Sequence, residues 1–154
     1  MQRVSSAQVV VGDEVAGSIG TGYLVFVGAE RGDRPATAEA AARKVAGLRI
    51  FQDESGRMAR GLDDVGGSVL VVSQFTLAAD LSRGRRPGFE RALPAAEAQP
   101  LYERFVATLA ACGVRVATGV FGAMMRVSLV NEGPATFLLD VAPEREATED
   151  RGLR

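Results

Sequence analysis

Val69-Leu70-Val71-Val72-Ser73-Gln74-Phe75-Thr76-Leu77 is the stretch whose reading decides the fold. Its first four residues are branched and apolar, follow Gly66-Gly67, and read as a buried strand. Buried strands normally end in turn residues. This one ends in a hydroxyl, an amide, an aromatic ring and a second hydroxyl, then runs toward the basic stretch Arg83-Gly84-Arg85-Arg86-Pro87. Polar side chains at the end of a rigid strand have fixed geometry and suit a ligand. The same residues also suit simple bonding of Ser and Thr to local backbone, and the stretch alone leaves both readings open.

Upstream, residues 4–11 alternate loosely, and Gly12-Asp13 joins them to Glu14-Val15-Ala16-Gly17 as a hairpin. Gly17, Gly20 and Gly22 lead into a central strand over residues 23–28. They precede a strand instead of linking strand to helix, so they read as turn glycines, not as a dinucleotide-binding loop. Residues 37–48 predict a helix, with Thr37 as N-cap and Ala38, Ala41, Ala42, Val45 and Leu48 on one face. Arg49-Ile50-Phe51-Gln52 predicts a short strand turning at Asp53-Glu54-Ser55-Gly56. Residues 57–67 read as loop or irregular strand, with Asp63-Asp64 as solvated acids in preference to a carboxylate dyad.

Downstream, residues 78–94 lack periodicity and carry Arg83, Arg85, Arg86 and Arg91. Such a loop is either a solvated connection or a phosphate-contacting lid. Residues 97–112 predict a second helix with the stripe Ala98, Leu101, Tyr102, Phe105, Leu109 and Cys112, stopped by Gly113. Three strands are expected after it, over 114–116, 124–130 and 137–141, with 131–136 as the turn between the last two. The tail over 143–154 is charged and predicts a flexible end. Hairpins, central strands and two main helices predict an α+β fold, a curved mixed or antiparallel sheet with the helices packed on it. Strict β-α-β alternation is missing, which argues against a doubly wound sheet.

Composition bounds the chemistry. With 154 residues, 47% of them hydrophobic, the chain can bury a core in one domain, expected over residues 1–142. A net charge of -1 argues against a whole-protein field for nucleic acid, so any such contact must come from a local patch. The absence of His excludes Ser-His-Asp and Cys-His catalysis and any imidazole metal ligand. Cys112 stands alone, which excludes an internal disulfide, and it is expected as a packed core thiol at a helix end. No apolar run reaches the ~20 residues of a membrane span, and no signal peptide is read at the N-terminus, so a soluble cytosolic domain is expected. An enzyme of this composition works with hydroxyls, carboxylates, amides, Arg, backbone groups or the substrate itself.

The second informative stretch is Asn131-Glu132-Gly133-Pro134-Ala135-Thr136. A Gly-Pro bond reaches the cis form at a cost of only ~0.5–1 kcal/mol. Proline marks a turn or sheet edge, and glycine lets its carbonyl approach a ligand closely. A cis Gly-Pro unit would turn two neighbouring carbonyls to one side as a rigid acceptor pair for an ammonium group. An ordinary turn between strands is the other reading.

Taken together, Ser73-Gln74-Phe75-Thr76-Leu77 with Ala79-Asp80, Gly84-Arg85-Arg86-Pro87 and Asn131-Glu132-Gly133-Pro134-Ala135-Thr136 resemble the D-aminoacyl-tRNA deacylases. The similarity runs from Gln2-Arg3-Val4 through Leu48-Arg49-Ile50-Phe51, Asp64-Val65-Gly66-Gly67 and Thr118-Gly119-Val120-Phe121-Gly122-Ala123 to Leu139-Asp140, about residues 1–141. Each motif is weak alone; their order and spacing are specific. Glu132 where Asp is usual, Ala135 for a common Val, and Gly88 for a frequent Ser depart from the family pattern, as do Ala78 and Met125. None of these touches Ser73–Leu77, Gly133, Pro134 or Thr136.

The resemblance implies a barrel-like, homodimeric hydrolase that removes D-amino acids from mischarged tRNA, with no cofactor and no metal. It implies that Ser73, Gln74, Phe75 and Thr76 line the site for the terminal adenosine and the scissile ester. Gly133 and Pro134 would enter the partner subunit's site and capture the α-amino group, supported by Arg3, Asn131 and Thr136. An L side chain would strike the Gly-Pro wall while a D side chain points outward, and glycine would be tolerated. Arg83, Arg85 and Arg86 would meet tRNA phosphates. Ester hydrolysis then proceeds by Thr76 as nucleophile or, the favoured route, by the substrate's ribose 2′-hydroxyl assisting water while backbone N–H groups near Phe75-Thr76 hold the oxyanion. A related editing enzyme for L-aminoacyl-tRNA and a non-catalytic tRNA-end or nucleotide-binding module are the alternatives.

Overall fold

The computed structural model describes residues 1–82 and 84–142; Arg83 and the charged tail over 143–154 lie outside the described residues. The chain forms β1 (Gln2–Val11), β2 (Glu14–Ile19), β3 (Gly22–Val27), α1 (Pro35–Ala46), β4 (Phe51–Gln52), β5 (Met58–Arg60), α2 (Leu62–Val65) and β6 (Ser68–Ser73). A 3-10 turn over Phe75–Ala78 follows, then α3 (Ala95–Ala111), β7 (Arg115–Thr118) and β8 (Arg126–Thr136). The order β2-β1-β3-β6-β7 builds a mixed sheet, with β8 paired along the other edge of β1. β3, β6 and β7 run parallel, and their connections carry α1 and α3, as parallel neighbours require.

Alternation along the central strands explains their uninterrupted apolar sequence. Tyr23, Val25, Val69 and Val71 face the helices and pack with Ala42, Val45, Tyr102, Phe105 and Leu109. Leu24, Leu70 and Val72 face the other way and pack with Val4, Ala7, Val9 and Ile19 inside the curved sheet. Both faces are covered, so no polar residue is tolerated until Ser73. The sheet nearly closes into a barrel because β2 comes back onto β7. At Gly17 an added Cβ would lie 2.4 Å from the Thr118 carbonyl oxygen, so only glycine permits that approach.

Several expectations need correction. The first helix begins at Pro35, not Thr37: Pro35 supplies the first helical φ, while the Thr37 hydroxyl, one turn in, accepts from the Arg34 N–H at 3.3 Å. Residues 57–67 hold a strand and a single helical turn, because the Asp64 carboxylate accepts from the Gly61 N–H at 2.7 Å and caps α2. Residues 131–136 are not a turn between two strands; they continue β8, and no strand follows over 137–141. Phe137 makes the last exchange, with Met1 at 2.8 Å in both directions. Cys112 is exposed, since it caps α3 just beyond Leu109, where the helical stripe has ceased to face the sheet.

Candidate active site

β6 delivers Ser73 and Gln74 to the end of the barrel, where the Gln74 N–H still donates to the Val27 carbonyl at 2.8 Å. The chain then tightens into the 3-10 turn, with the Ala79 N–H bonded to the Thr76 carbonyl at 3.2 Å. The Gln74 amide nitrogen donates to the Thr76 hydroxyl oxygen. That hydroxyl accepts a bond from the protein and keeps a proton of its own to donate. Phe75 and Thr76 are both exposed, Phe75 at 58% despite its size. The ring of Phe75 meets Phe89 edge-on, with centroids 5.0 Å apart and planes at 61°.

The segment after the turn, residues 79–93, is a strap fastened at both ends. Asp80 and Gly88 exchange backbone hydrogen bonds at 2.8 and 2.9 Å. Further along, Arg91 grips both oxygens of Glu30 at 2.8 and 2.7 Å, and the Arg31 N–H reaches the Arg91 carbonyl at 2.9 Å. The Ser82 hydroxyl, followed by the Ser82 N–H, holds the Asp80 carboxyl below its ordinary range, so it stays anionic at the strap's origin. Arg85 and Arg86 are exposed on the strap. Arg83, the third expected phosphate contact, lies outside the described residues.

The second group forms around a bulge. Gln2 pairs with Thr136 and Val4 with Asn131, so one residue of β1 faces four of β8, and Glu132–Ala135 swings out of the ladder. Asn131 knits the bulge: its amide donates to the Thr136 hydroxyl at 3.0 Å and its oxygen accepts from the Ala135 N–H at 2.7 Å. Arg3 fills the space opposite, 5% exposed, and donates to the Glu132 carbonyl at 3.1 Å and the Ile50 carbonyl at 2.6 Å. The Gly133-Pro134 peptide is cis, and Gly133 sits at φ +127 with the Arg3 guanidinium against it. Arg3, Glu132, Gly133 and Pro134 line a groove of about 410 Å³ together with Phe51, Gln52, Met58 and Val65.

These two groups do not meet within one chain. Arg3 pairs with Tyr23 on β3, while Ser73 pairs with Val27, four residues on, which is ~13 Å along the strand. The order β8-β1-β3-β6 adds three strand spacings, ~14 Å, across the sheet. One end of the barrel thus offers a hydroxyl, an amide and an aromatic ring, and the bulge offers the exposed residues Glu132, Gly133 and Pro134 braced by a buried cation. Asn131 and Thr136, expected at a substrate, spend their polar groups on each other and on the bulge. Phe89 and Glu30 were not anticipated, and Arg91, expected on a solvated or phosphate-contacting loop, is instead paired with Glu30; nothing in the local sequence marks a ring contact or an ion pair spanning sixty-one residues.

The fold and its two polar groups define a nearly closed α+β barrel whose site is made of hydroxyl, amide and backbone groups without imidazole. The sequence model described as D-Tyr-tRNA(Tyr) deacylase matches residues 1–140. A D-aminoacyl-tRNA deacylase of Symbiobacterium thermophilum is 56% identical over 140 residues, covering 91% of this chain and 93% of that protein. One from a Roseiflexus species is 58% identical over 146 residues, covering 95% and 94%. Among solved structures, the c-Myc DNA unwinding element binding protein superposes with a TM-score of 0.85 at 36% identity, covering 92% of this chain and 97% of that one. This chain belongs to the D-Tyr-tRNA(Tyr) deacylase family.

Proposed function

We infer that this chain is a D-aminoacyl-tRNA deacylase, hydrolysing the ester between a D-amino acid, or glycine, and the terminal adenosine of tRNA. The observation that carries the reading is the exposed Thr76, its hydroxyl held by Gln74 at the end of β6, in a chain of this family. Residues 1–142 act as one domain, in the cytosol, where aminoacyl-tRNA is made and used. Ser73, Gln74, Phe75 and Thr76 form the catalytic end, and Arg85 and Arg86 on the strap, with Arg83, meet the acceptor-stem phosphates.

The working unit is a homodimer. Gly133-Pro134 lies far from Thr76 of its own chain, so it serves the partner's site, where its carbonyls receive the α-amino group. Arg3 and Asn131 keep the bulge in shape for that role, and Thr136 closes it. Chirality is read by steric exclusion: an L side chain points into the Gly-Pro wall, whereas a D side chain or a hydrogen does not. For hydrolysis, Thr76 donates a hydrogen bond to the substrate and positions it, the ribose 2′-hydroxyl assists water, and Phe75-Thr76 backbone N–H groups stabilise the oxyanion. The attacking oxygen comes from water, the ester C–O bond breaks, and the 3′-hydroxyl leaves with a proton. The partner of the Thr76 hydroxyl is the Gln74 amide N–H, a donor and not a base, which favours this route.

The test is deacylation of matched D- and L-tyrosyl-tRNA with glycyl-tRNA alongside. Release from the D form and from glycyl-tRNA, with the L form untouched, is expected. Equal release from both enantiomers, or from the L form alone, would replace this reading with a related editing activity. Binding without any release would make the chain a tRNA-end binding module.

A further inference from the structure

We propose that Phe89 is a positioning residue of this active site, acting through Phe75. The inference rests on the deacylase reading, in which Phe75 lines the place of the terminal adenosine. Phe75 is a large ring left 58% exposed on a short turn, and the ring it meets is Phe89. An edge-to-face pair fixes the plane of a ring as well as its place. A nucleobase stacked beside an aromatic side chain inherits that plane, and a small tilt moves the ester away from Thr76.

The strap that carries Phe89 is built to hold it still. Phe89 follows Gly88, which is bonded to Asp80, and precedes Arg91, which is bonded to Glu30 through both carboxylate oxygens. Beyond Phe89 the Leu93 N–H donates to the Ala29 carbonyl at 3.0 Å. The same exit from β3 also supports the turn: at Gly28 an added Cβ would lie 2.9 Å from the Gln74 carbonyl oxygen and 3.2 Å from the Leu77 Cβ. Residues 28–30 thus seat the catalytic turn at one point and the strap at the next two. Phe75 against Phe89 closes that frame on its solvent side. The Glu30–Arg91 pair, mostly exposed and worth little to overall stability, serves the frame.

The experiment compares D-tyrosyl-tRNA deacylation by the wild type, Phe89→Leu, Phe89→Tyr, Phe75→Leu and the Phe75→Leu/Phe89→Leu double variant, with melting curves for each. Phe89→Leu should lose about 10-fold in kcat with KM within about two-fold, and Phe89→Tyr, which keeps the ring edge, should stay within about two-fold of wild type. The double variant should be no slower than Phe75→Leu alone, because one residue acts through the other. Glu30→Gln, which loosens the strap without touching either ring, should lower kcat in the same direction and keeps the test open if Phe89→Leu does not fold. An active wild type with Phe89→Leu, or with Glu30→Gln in its place, equal to it overturns the inference and leaves the deacylase reading standing. Independent, multiplicative losses in the double variant overturn it as well. A wild type that releases nothing from the D substrate overturns both.

Discussion

Thr76 is placed by a neighbour two residues away, whose amide donates to its hydroxyl oxygen. In the proposed reaction that hydroxyl donates a hydrogen bond toward the substrate. Replacing it with alanine should lower kcat by about 10²-fold, the scale on which one donor to a developing oxyanion is worth. Thr76→Ser should keep most of the rate, since the donor survives. Single-turnover assays with quenching would show free amino acid forming in one phase; a trapped acyl-enzyme on Thr76 would refute the donor role. The polar run at the end of β6 was legible in sequence, because a hydroxyl-amide-aromatic-hydroxyl run is a poor way to end a valine strand. Its supports were not. Phe89, Glu30 and Arg91 act across the fold, and Cys112, which the helical stripe counted as core, turned outward because the helix stops there.

Elements obeyed periodicity where both neighbours were regular and departed from it where the partner strand ran out. The buried run at 69–72 read correctly since each residue packs on one face or the other of a covered sheet. Residues 131–136 read as a turn because Gly-Pro is a turn signal; the structure keeps both ends of the stretch in β8 and bulges the middle, with Asn131 supplying the bonds the ladder loses. Closure of the barrel depends on β2 reaching β7 at Gly17. Gly17→Ala would press a methyl to 2.4 Å from the Thr118 carbonyl, so unfolding in urea should show a loss of ~1–3 kcal/mol, typical of overpacking. An unchanged midpoint would mean that β2 is free to shift. The helix–sheet contact makes its own prediction. Burial pushes Tyr23 and Tyr102 up from 10.0 to about 12. The folded state favours the neutral phenol, so this stability is fully present below pH 10 and is lost as pH rises through about 12. Tyr102→Phe removes that group and the bond to the Val71 carbonyl. It should cost about 1 kcal/mol at neutral pH yet melt with a shallower decline than wild type between pH 10 and 12.

At the scale of the molecule, the end of β6 and the Gly-Pro bulge occupy different strands and different levels of one sheet, so the two groups do not meet within one chain. The proposed homodimer would solve the problem without altering the fold: each copy would lend its bulge to the other, and two complete sites would result. Sequence made both halves visible as motifs but gave no distance between them, which depends on strand order. The arrangement predicts complementation. A Thr76→Ala chain has a dead catalytic turn and a sound bulge, and a Gly133→Leu chain has the reverse. Each alone should be nearly inactive. After mixed refolding about half of the dimers are hybrids, and each hybrid joins one sound turn to one sound bulge, so activity should return to about a quarter of wild type. A site assembled within a single chain would give no recovery at all, because every chain in the mixture would carry one broken half.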